Sequence, residues 1–205
     1  MDNNHSKLLS ETIGNDIDSS INESTQAEQE IAAKHDGWLS MADVQATEVH
    51  WLWKPYVPLG KLTLFDGDPG VGKSWASCAL AAALTRGDGV PGMIETAPRD
   101  VLLLSAEDSL SDTVRPRLEA LGADLKRVKA HPALILDEKG FQQLEVRVAK
   151  HKPALIILDP LFAFVGGKKD IYRDNEARTV TTPLAELAEA HSCAIVAVRH
   201  LTKQQ

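Results

Sequence analysis

From residue 59 onward the chain alternates short apolar runs with longer amphipathic or alanine-rich segments. The apolar runs, rich in leucine and β-branched residues, predict strands at residues 62–66, 101–105, 127–130, 155–159 and 193–199, of which 127–130 is the weakest. The segments between them predict helices at about residues 73–85, 112–121, 141–151 and 175–191. Short apolar strands separated by helices are typical of a parallel sheet buried on both faces. The pattern therefore predicts an α/β fold of the doubly wound kind, a mostly parallel sheet with helices on both faces.

The first part of the chain has a different pattern. Residues 1–36 are rich in polar side chains, contain no aromatic residue and carry eight carboxylates against two lysines. Such a segment buries too little apolar surface to offset its ordering entropy, so it predicts a disordered acidic tail. The remaining residues, 37–205, are predicted to form one domain.

The segment between the first predicted strand and the first predicted helix matches the phosphate-loop pattern G-x-x-x-x-G-K-[ST]. Its residues are Gly67, Asp68, Pro69, Gly70, Val71, Gly72, Lys73 and Ser74. Glycines let successive backbone N–H groups converge on an anion, and the following helix adds its positive dipole end. Lys73 is expected to reach the β- and γ-phosphates of ATP, and the Ser74 hydroxyl to help hold Mg²⁺.

Three polar residues follow predicted strands, where ligands of open parallel sheets bind. Asp159 ends a run of four apolar residues, a Walker B pattern that predicts support of Mg²⁺, with a turn role before Pro160 as the alternative. Glu107 is predicted to orient an attacking water as the catalytic acid/base. One alternative is that Asp108 has this role, and another is that Glu107 is only a charge near the N-terminus of the following helix. His200 is a candidate sensor of the γ-phosphate, although a lone histidine is more often structural.

Composition adds limits to this interpretation. The chain has 205 residues, 43% of them hydrophobic, enough to bury a full core. It contains no run of 18 apolar residues, and its N-terminus lacks the features of a secretory signal, so we expect no membrane span and a cytoplasmic location. The net charge is −7, of which −6 lies in residues 1–36, so the domain is not basic as a whole. Cys78 and Cys193 have the surroundings of buried core residues, and neither a disulfide nor a zinc site is expected.

Aromatic residues precede the phosphate loop. Trp38, Trp51, Trp53 and Tyr56 lie in a lead-in at residues 38–58. Beside a nucleotide site they could stack on the base, but aromatics here more often cover the edge of a sheet.

The order of these motifs resembles the RecA-like ATPases. GDPGVGKS is followed by LLLSAEDS and VRPRLEALGAD, then LIILDP and AIVAVRHLTK. Within that family the series is similar to the RepA-type hexameric replicative helicases of plasmids and to related phage ATPases. The resemblance covers about residues 50–205, and the glutamate and the H-L-x-K ending make it more selective than the Walker motifs alone.

The resemblance implies a RecA-like P-loop core in a homo-oligomer, hexameric or filamentous, that hydrolyses ATP between subunits. It assigns phosphate and Mg²⁺ binding to Lys73 and Ser74, water activation to Glu107, metal support to Asp159 and γ-phosphate sensing to His200. In similar motors the loop after Walker B touches single-stranded DNA. Here that loop begins at Gly166, ends at Arg173 and combines basic and aromatic residues, although most such loops are merely solvated.

The sequence departs from the family pattern after the histidine motif. Further strands and an arginine finger follow the histidine motif in similar proteins, whereas this sequence stops at Gln205, so truncation and slow turnover are expected. Arg115 and Arg117, on the predicted helix after Glu107, are candidate substitutes for the finger, although a salt bridge on the helix surface is the more common role for such residues. Two alternatives therefore stay open: a nucleotide-dependent assembly or regulatory module, and a small P-loop phosphotransferase. Phosphate release measured with no acceptor, with single-stranded DNA and with duplex DNA distinguishes the hydrolysing motor from these alternatives.

Overall fold

The computed structural model describes residues 38–91, 97–132, 134–165 and 174–200, with side chains left aside at 174–176 and 200. The chain divides into two compact units, Met1–His50 and Trp51–Gln205. In the first unit, residues 41–44 form a turn, in which the Asp43 amide donates a hydrogen bond to the Ser40 carbonyl at 2.9 Å. The predicted tail at residues 1–36 lies outside the described residues, so its disorder and its boundary stay predictions.

The second unit contains the strands and helices of the described residues. Its strands are β1 (Trp51–Trp53), β2 (Val57–Pro58), β3 (Leu62–Gly67), β4 (Val101–Ser105), β5 (Val128–His131), β6 (Leu155–Asp159) and β7 (Ala194–His200). Its α-helices are α1 (Lys73–Arg86), α2 (Arg115–Ala120), α3 (Glu138–His151) and α4 (Asp174–Ala190). A π-helical turn, Leu110–Val114, leads into α2, and short 3-10 turns cover Leu125–Arg127 and Leu161–Phe164. All five predicted strands are confirmed, with ends that shift by one residue at most.

The five longer strands form one parallel sheet in the order β3-β7-β6-β4-β5. The register aligns the carboxyl ends that carry the candidate residues, because Ser105 pairs with Asp159 and Gly67 pairs with His200. Strand β7 separates β3, which leads into the phosphate loop, from β6, which ends at Asp159. The ends of β3, β7, β6 and β4 therefore lie along one edge of the sheet.

Helices cover both faces of this sheet, as predicted. Alternate residues of each central strand enter different cores: Val101 and Leu103 pack with α1 and α2, whereas Leu102 and Leu104 pack with α3 and α4. The β6 residues Leu155, Ile156, Ile157 and Leu158 are fully buried. Two-sided burial explains why these strands are apolar throughout rather than alternating.

The second helix differs from its prediction at 112–121. The chain enters it through the π turn, in which the Val114 amide donates to the Ser109 carbonyl at 3.0 Å. Regular α-helix begins only at Arg115 because Pro116, in its first turn, offers no amide hydrogen. The third helix starts earlier than predicted, since the Asp137 side chain caps it by accepting from the Gly140 amide at 2.8 Å.

Residues 51–58 of the lead-in form a small hairpin of β1 and β2, which the sequence pattern did not predict. Trp53 packs against the first core, and its Nε1 donates to the Pro91 carbonyl at 2.8 Å. The Trp53 and Tyr56 rings lie 4.8 Å apart. These contacts favour the packing role for Trp53 over stacking on a base. Within the described residues, no helix is long and apolar enough to cross a membrane.

Candidate active site

A polar cavity of about 370 Å³ opens at the carboxyl edge of the sheet, where the loop after β3 meets the ends of β4 and β6. Its lining residues are Gly70, Gly72, Lys73, Ser74, Trp75, Glu107, Asp108, Arg117 and Asp159. The cavity thus brings together four predicted site residues with polar or charged side chains: Lys73, Ser74, Glu107 and Asp159. Asp108, the alternative to Glu107, lines the same cavity. Their roles stay predictions, but their proximity follows from the strand order.

The phosphate loop has the backbone that anion binding requires. Gly70 and Gly72 take φ values of 82° and 93°, in the left-handed region that favours glycine. Gly72 precedes the first residue of α1, and no side chain among the described residues caps that helix. The first amide hydrogens of α1 are therefore left for a ligand such as phosphate.

Lys73 is held over its own loop. Its Nζ donates to the carbonyl oxygens of Gly67 and Asp68, both at 2.7 Å. The ammonium thus has main-chain rather than carboxylate partners, so these contacts leave its positive charge unneutralised. Hydrogen bonds to neutral carbonyls are weaker than those to an anion, and a phosphate can replace them.

Ser74 and Asp159 present oxygen ligands to the same cavity. The Ser74 hydroxyl and one carboxylate suit Mg²⁺, which takes few protein ligands and completes its octahedral shell with phosphate oxygens and water. No group of three or more His, Cys, Asp or Glu side chains in the described parts of the chain is arranged to hold a metal. Two protein oxygen ligands suit a Mg²⁺ ion that is also held by the phosphates of a nucleotide.

The two carboxylates after β4 have different surroundings. Glu107 is exposed at the cavity, whereas Asp108 is partly buried and its Oδ2 lies 2.5 Å from Nη1 of Arg117. The Asp108 carbonyl also accepts a hydrogen bond from the Ser105 hydroxyl at 3.3 Å. The difference in exposure favours Glu107 for contact with a ligand.

Arg117 and Trp75 belong to the cavity but were not predicted as site residues. The Arg117 guanidinium lies 5.7 Å above the Trp75 ring centre. Sequence reasoning weighed Arg117 only as an ion-pair residue or a substitute finger, and it overlooked Trp75. Trp75 could have been found from its position, because it lies in the first turn of α1, directly after the phosphate loop.

Cys78 lies in α1 behind the phosphate loop and is buried, as predicted. Burial raises the pKa of its thiol from 9.0 to about 11, with Arg117 lowering it less and the charges of Asp159 and Asp108 raising it. The thiol is therefore protonated and unreactive near neutral pH.

A bidentate ion pair fixes the start of the loop. Arg199, near the end of β7, donates to both carboxylate oxygens of Asp66 at 2.5 and 2.6 Å. The backbone of His200 pairs with Gly67 directly beside this contact, while the His200 side chain lies outside the described part of the structure. Its role as γ-phosphate sensor thus stays a prediction. The loop from Gly166 to Arg173 also lies outside the described residues.

Comparisons with known proteins agree with this geometry. The sequence model of a family described as an AAA domain matches residues 27–205. The chain is 27% identical over 154 residues to DNA repair protein RadA of Halalkalibacterium halodurans, covering 71% of this chain and 29% of that protein. It is 27% identical over 147 residues to the Streptococcus pneumoniae protein of the same name, covering 71% and 31%.

A third relative is the Bacillus subtilis DNA repair protein RadA, 24% identical over 155 residues, covering 71% of this chain and 29% of that protein. The aligned region spans less than a third of each of these relatives. The family match covers most of the chain, and the parallel sheet, the phosphate loop and the shared cavity are those of a RecA-like P-loop core. This chain belongs to the AAA domain family of RecA-like P-loop ATPases.

Proposed function

We propose that this chain binds Mg·ATP in the cavity beside the phosphate loop and hydrolyses it as the motor domain of a protein acting on DNA in repair or replication. The observation that carries the proposal is the convergence of Lys73, Ser74, Glu107 and Asp159 on one polar cavity at the carboxyl edge of the sheet. Binding alone requires the loop and the cation ligands; hydrolysis requires a group that activates water.

The roles follow from position. The residues from Gly67 to Ser74 wrap the phosphates, with Lys73 turning from its loop carbonyls to the β- and γ-phosphates. When bound, Mg²⁺ would neutralise part of the phosphate charge, and Ser74 and Asp159 would hold it. Glu107 accepts the proton of the attacking water, and His200 responds to loss of the γ-phosphate. These assignments make residues 37–205 the ATPase domain and residues 1–36 an acidic leader.

The link to DNA is supported by the names of the relatives, which are DNA repair proteins. Motif order favours the RepA-type helicase branch more narrowly. In that setting the chain works as a homo-oligomer, and the loop from Gly166 to Arg173 contacts single-stranded DNA through its lysines, arginine and tyrosine.

Phosphate release tests the proposal and separates it from its alternatives. The purified chain is incubated with Mg·ATP alone, with single-stranded DNA and with duplex DNA, and Glu107→Gln serves as the control for contaminating ATPases. Glutamate-dependent release, raised by DNA, supports the motor. ATP binding without release indicates an assembly module. Formation of ADP together with a phosphorylated acceptor, and without free phosphate, indicates a phosphotransferase. Size measurement with and without ATP tests the oligomer.

A further inference from the structure

Three side chains form a cluster at the end of the cavity next to β4: Trp75, Asp108 and Arg117. The Arg117 guanidinium contacts the Asp108 carboxylate at 2.5 Å and lies 5.7 Å above the Trp75 ring centre. About a quarter of the Arg117 side chain is exposed (23%), so the cation is largely sheltered yet borders the cavity. The Arg117 guanidinium is thus held in a defined position at the cavity by its two neighbours and does not extend freely into solvent.

The neighbouring arginine of the same helix shows the contrast. Arg115 pairs with Glu119 one turn along α2 at 2.8 Å, and its side chain is 66% exposed. Residues two apart on an α-helix point in nearly opposite directions, so Arg115 faces away from the cavity when Arg117 faces it. Arg115 is therefore an internal reference for a surface arginine with an ordinary ion pair.

The charges of the cavity need a second cation once nucleotide arrives. Among its described lining residues, Lys73 and Arg117 are basic, whereas Glu107, Asp108 and Asp159 are acidic. While the cavity holds no anion, Asp108 neutralises Arg117. A polyphosphate adds several negative charges, of which Mg²⁺ offsets two, and the planar guanidinium fork matches phosphate oxygens better than an ammonium does.

An exchange of partners at Arg117 is energetically modest. The guanidinium passes from one oxyanion to another and never becomes a buried unpaired charge. The carboxylate it leaves is 37% exposed and can be hydrated. Asp108 directly follows Glu107, so this end of the cavity is where the terminal phosphate and the attacking water are expected, whereas the loop amides of α1 lie at the other phosphates.

We propose that Arg117 recognises the γ-phosphate from within the same subunit: when ATP binds, its guanidinium leaves Asp108 and Trp75 for the terminal phosphate, and with ADP it stays. This rests on the proposed nucleotide site. Arg117 then gives the chain its preference for ATP over ADP, in addition to any stabilisation of charge during hydrolysis. Asp108 is then the competitor that keeps the cation in place without ATP.

The affinities for Mg·ATP and Mg·ADP, measured by calorimetry, test this on wild type, Arg117→Ala, Arg117→Lys and Arg115→Ala. Arg117→Ala should weaken ATP binding by about 10- to 100-fold, the scale of a hydrogen bond to a charged group, and ADP binding by less than about threefold. Arg117→Lys should recover part of the loss, and Arg115→Ala should match wild type. Asp108→Asn should tighten ATP more than ADP, because it removes the competitor.

A second readout uses Trp75, whose fluorescence is isolated by subtracting the signal of Trp75→Phe. ATP should change this fluorescence in wild type as the cation leaves the ring, ADP should not, and Arg117→Ala should lose the ATP-specific change. Equal weakening of ATP and ADP, or of neither, overturns the proposal and leaves Arg117 as a support of the loop after β4. If Arg117→Ala does not fold, an Asp108→Asn variant with unchanged ATP preference overturns it instead. Wild type that binds neither nucleotide refutes the proposed function itself.

Discussion

Two neighbouring carboxylates, Glu107 and Asp108, should respond in opposite ways to nearly isosteric substitution. Glu107 is exposed at the cavity, so Glu107→Gln should change the free energy of unfolding by less than about 0.5 kcal/mol. It should leave ATP affinity nearly unchanged but slow hydrolysis by about 10²-fold or more, since a general base is lost. That rate corresponds to about 2.7 kcal/mol in activation free energy.

Asp108→Asn should show the converse pattern. It removes the charge from a pair of 2.5 Å whose side chains are 23% and 37% exposed, which should lower the free energy of unfolding by about 1 kcal/mol. Its hydrolysis rate should fall far less than that of Glu107→Gln. Urea denaturation and single-turnover phosphate release, run on both variants and wild type, make the comparison. If Asp108→Asn is the slower enzyme, the roles of the two carboxylates are reversed.

Two further predictions concern stability. Burial raises the pKa of the Cys78 thiol from 9.0 to about 11, so the folded state holds the thiol proton more tightly than the unfolded state does. The stability that this group contributes is therefore present below pH 9 and is lost as the pH rises from 9 to 11. At about pH 10.5 wild type should lose about 2 kcal/mol more than Cys78→Ala does, relative to pH 7, and equal losses in urea denaturation would contradict the assigned burial effect. Ser192 has φ 45° and a buried hydroxyl without a hydrogen-bond partner in the described structure, so Ser192→Gly should raise the free energy of unfolding by about 1 kcal/mol. Ser192→Ala should gain less because it keeps a Cβ at positive φ, and a melting temperature for the glycine variant no higher than for the alanine variant would contradict the strain argument.

Much of the fold could be predicted because its signals are local. The strands at 101–105 and 155–159 are apolar throughout, and burial on both faces gives that pattern a single interpretation. The phosphate loop could be predicted because its glycines and its lysine serve one backbone conformation. The shared cavity also followed from sequence, since parallel strands bring their carboxyl ends to one edge.

The parts that escaped prediction depend on contacts between distant residues. The pair of Asp66 with Arg199 joins residues 133 positions apart, and nothing local to either indicates it. Arg117 lines the cavity from a helix that begins after a π turn, and the helical period alone does not reveal that turn. The hairpin of β1 and β2 is too short for its alternation to predict strands.

The central claim is that ATP binds through the phosphate loop, and a calorimetric titration of Mg·ATP into wild type and Lys73→Ala tests it most directly. Lys61→Ala is the matched control, because Lys61 directly precedes β3, outside the phosphate loop, and forms an exposed ion pair with Glu189 at 3.3 Å. Wild type and Lys61→Ala should bind Mg·ATP alike, and Lys73→Ala, folded to the same melting temperature, should show no detectable binding because the cation of the phosphate cradle is gone. Equal ATP affinity in all three proteins would contradict the account.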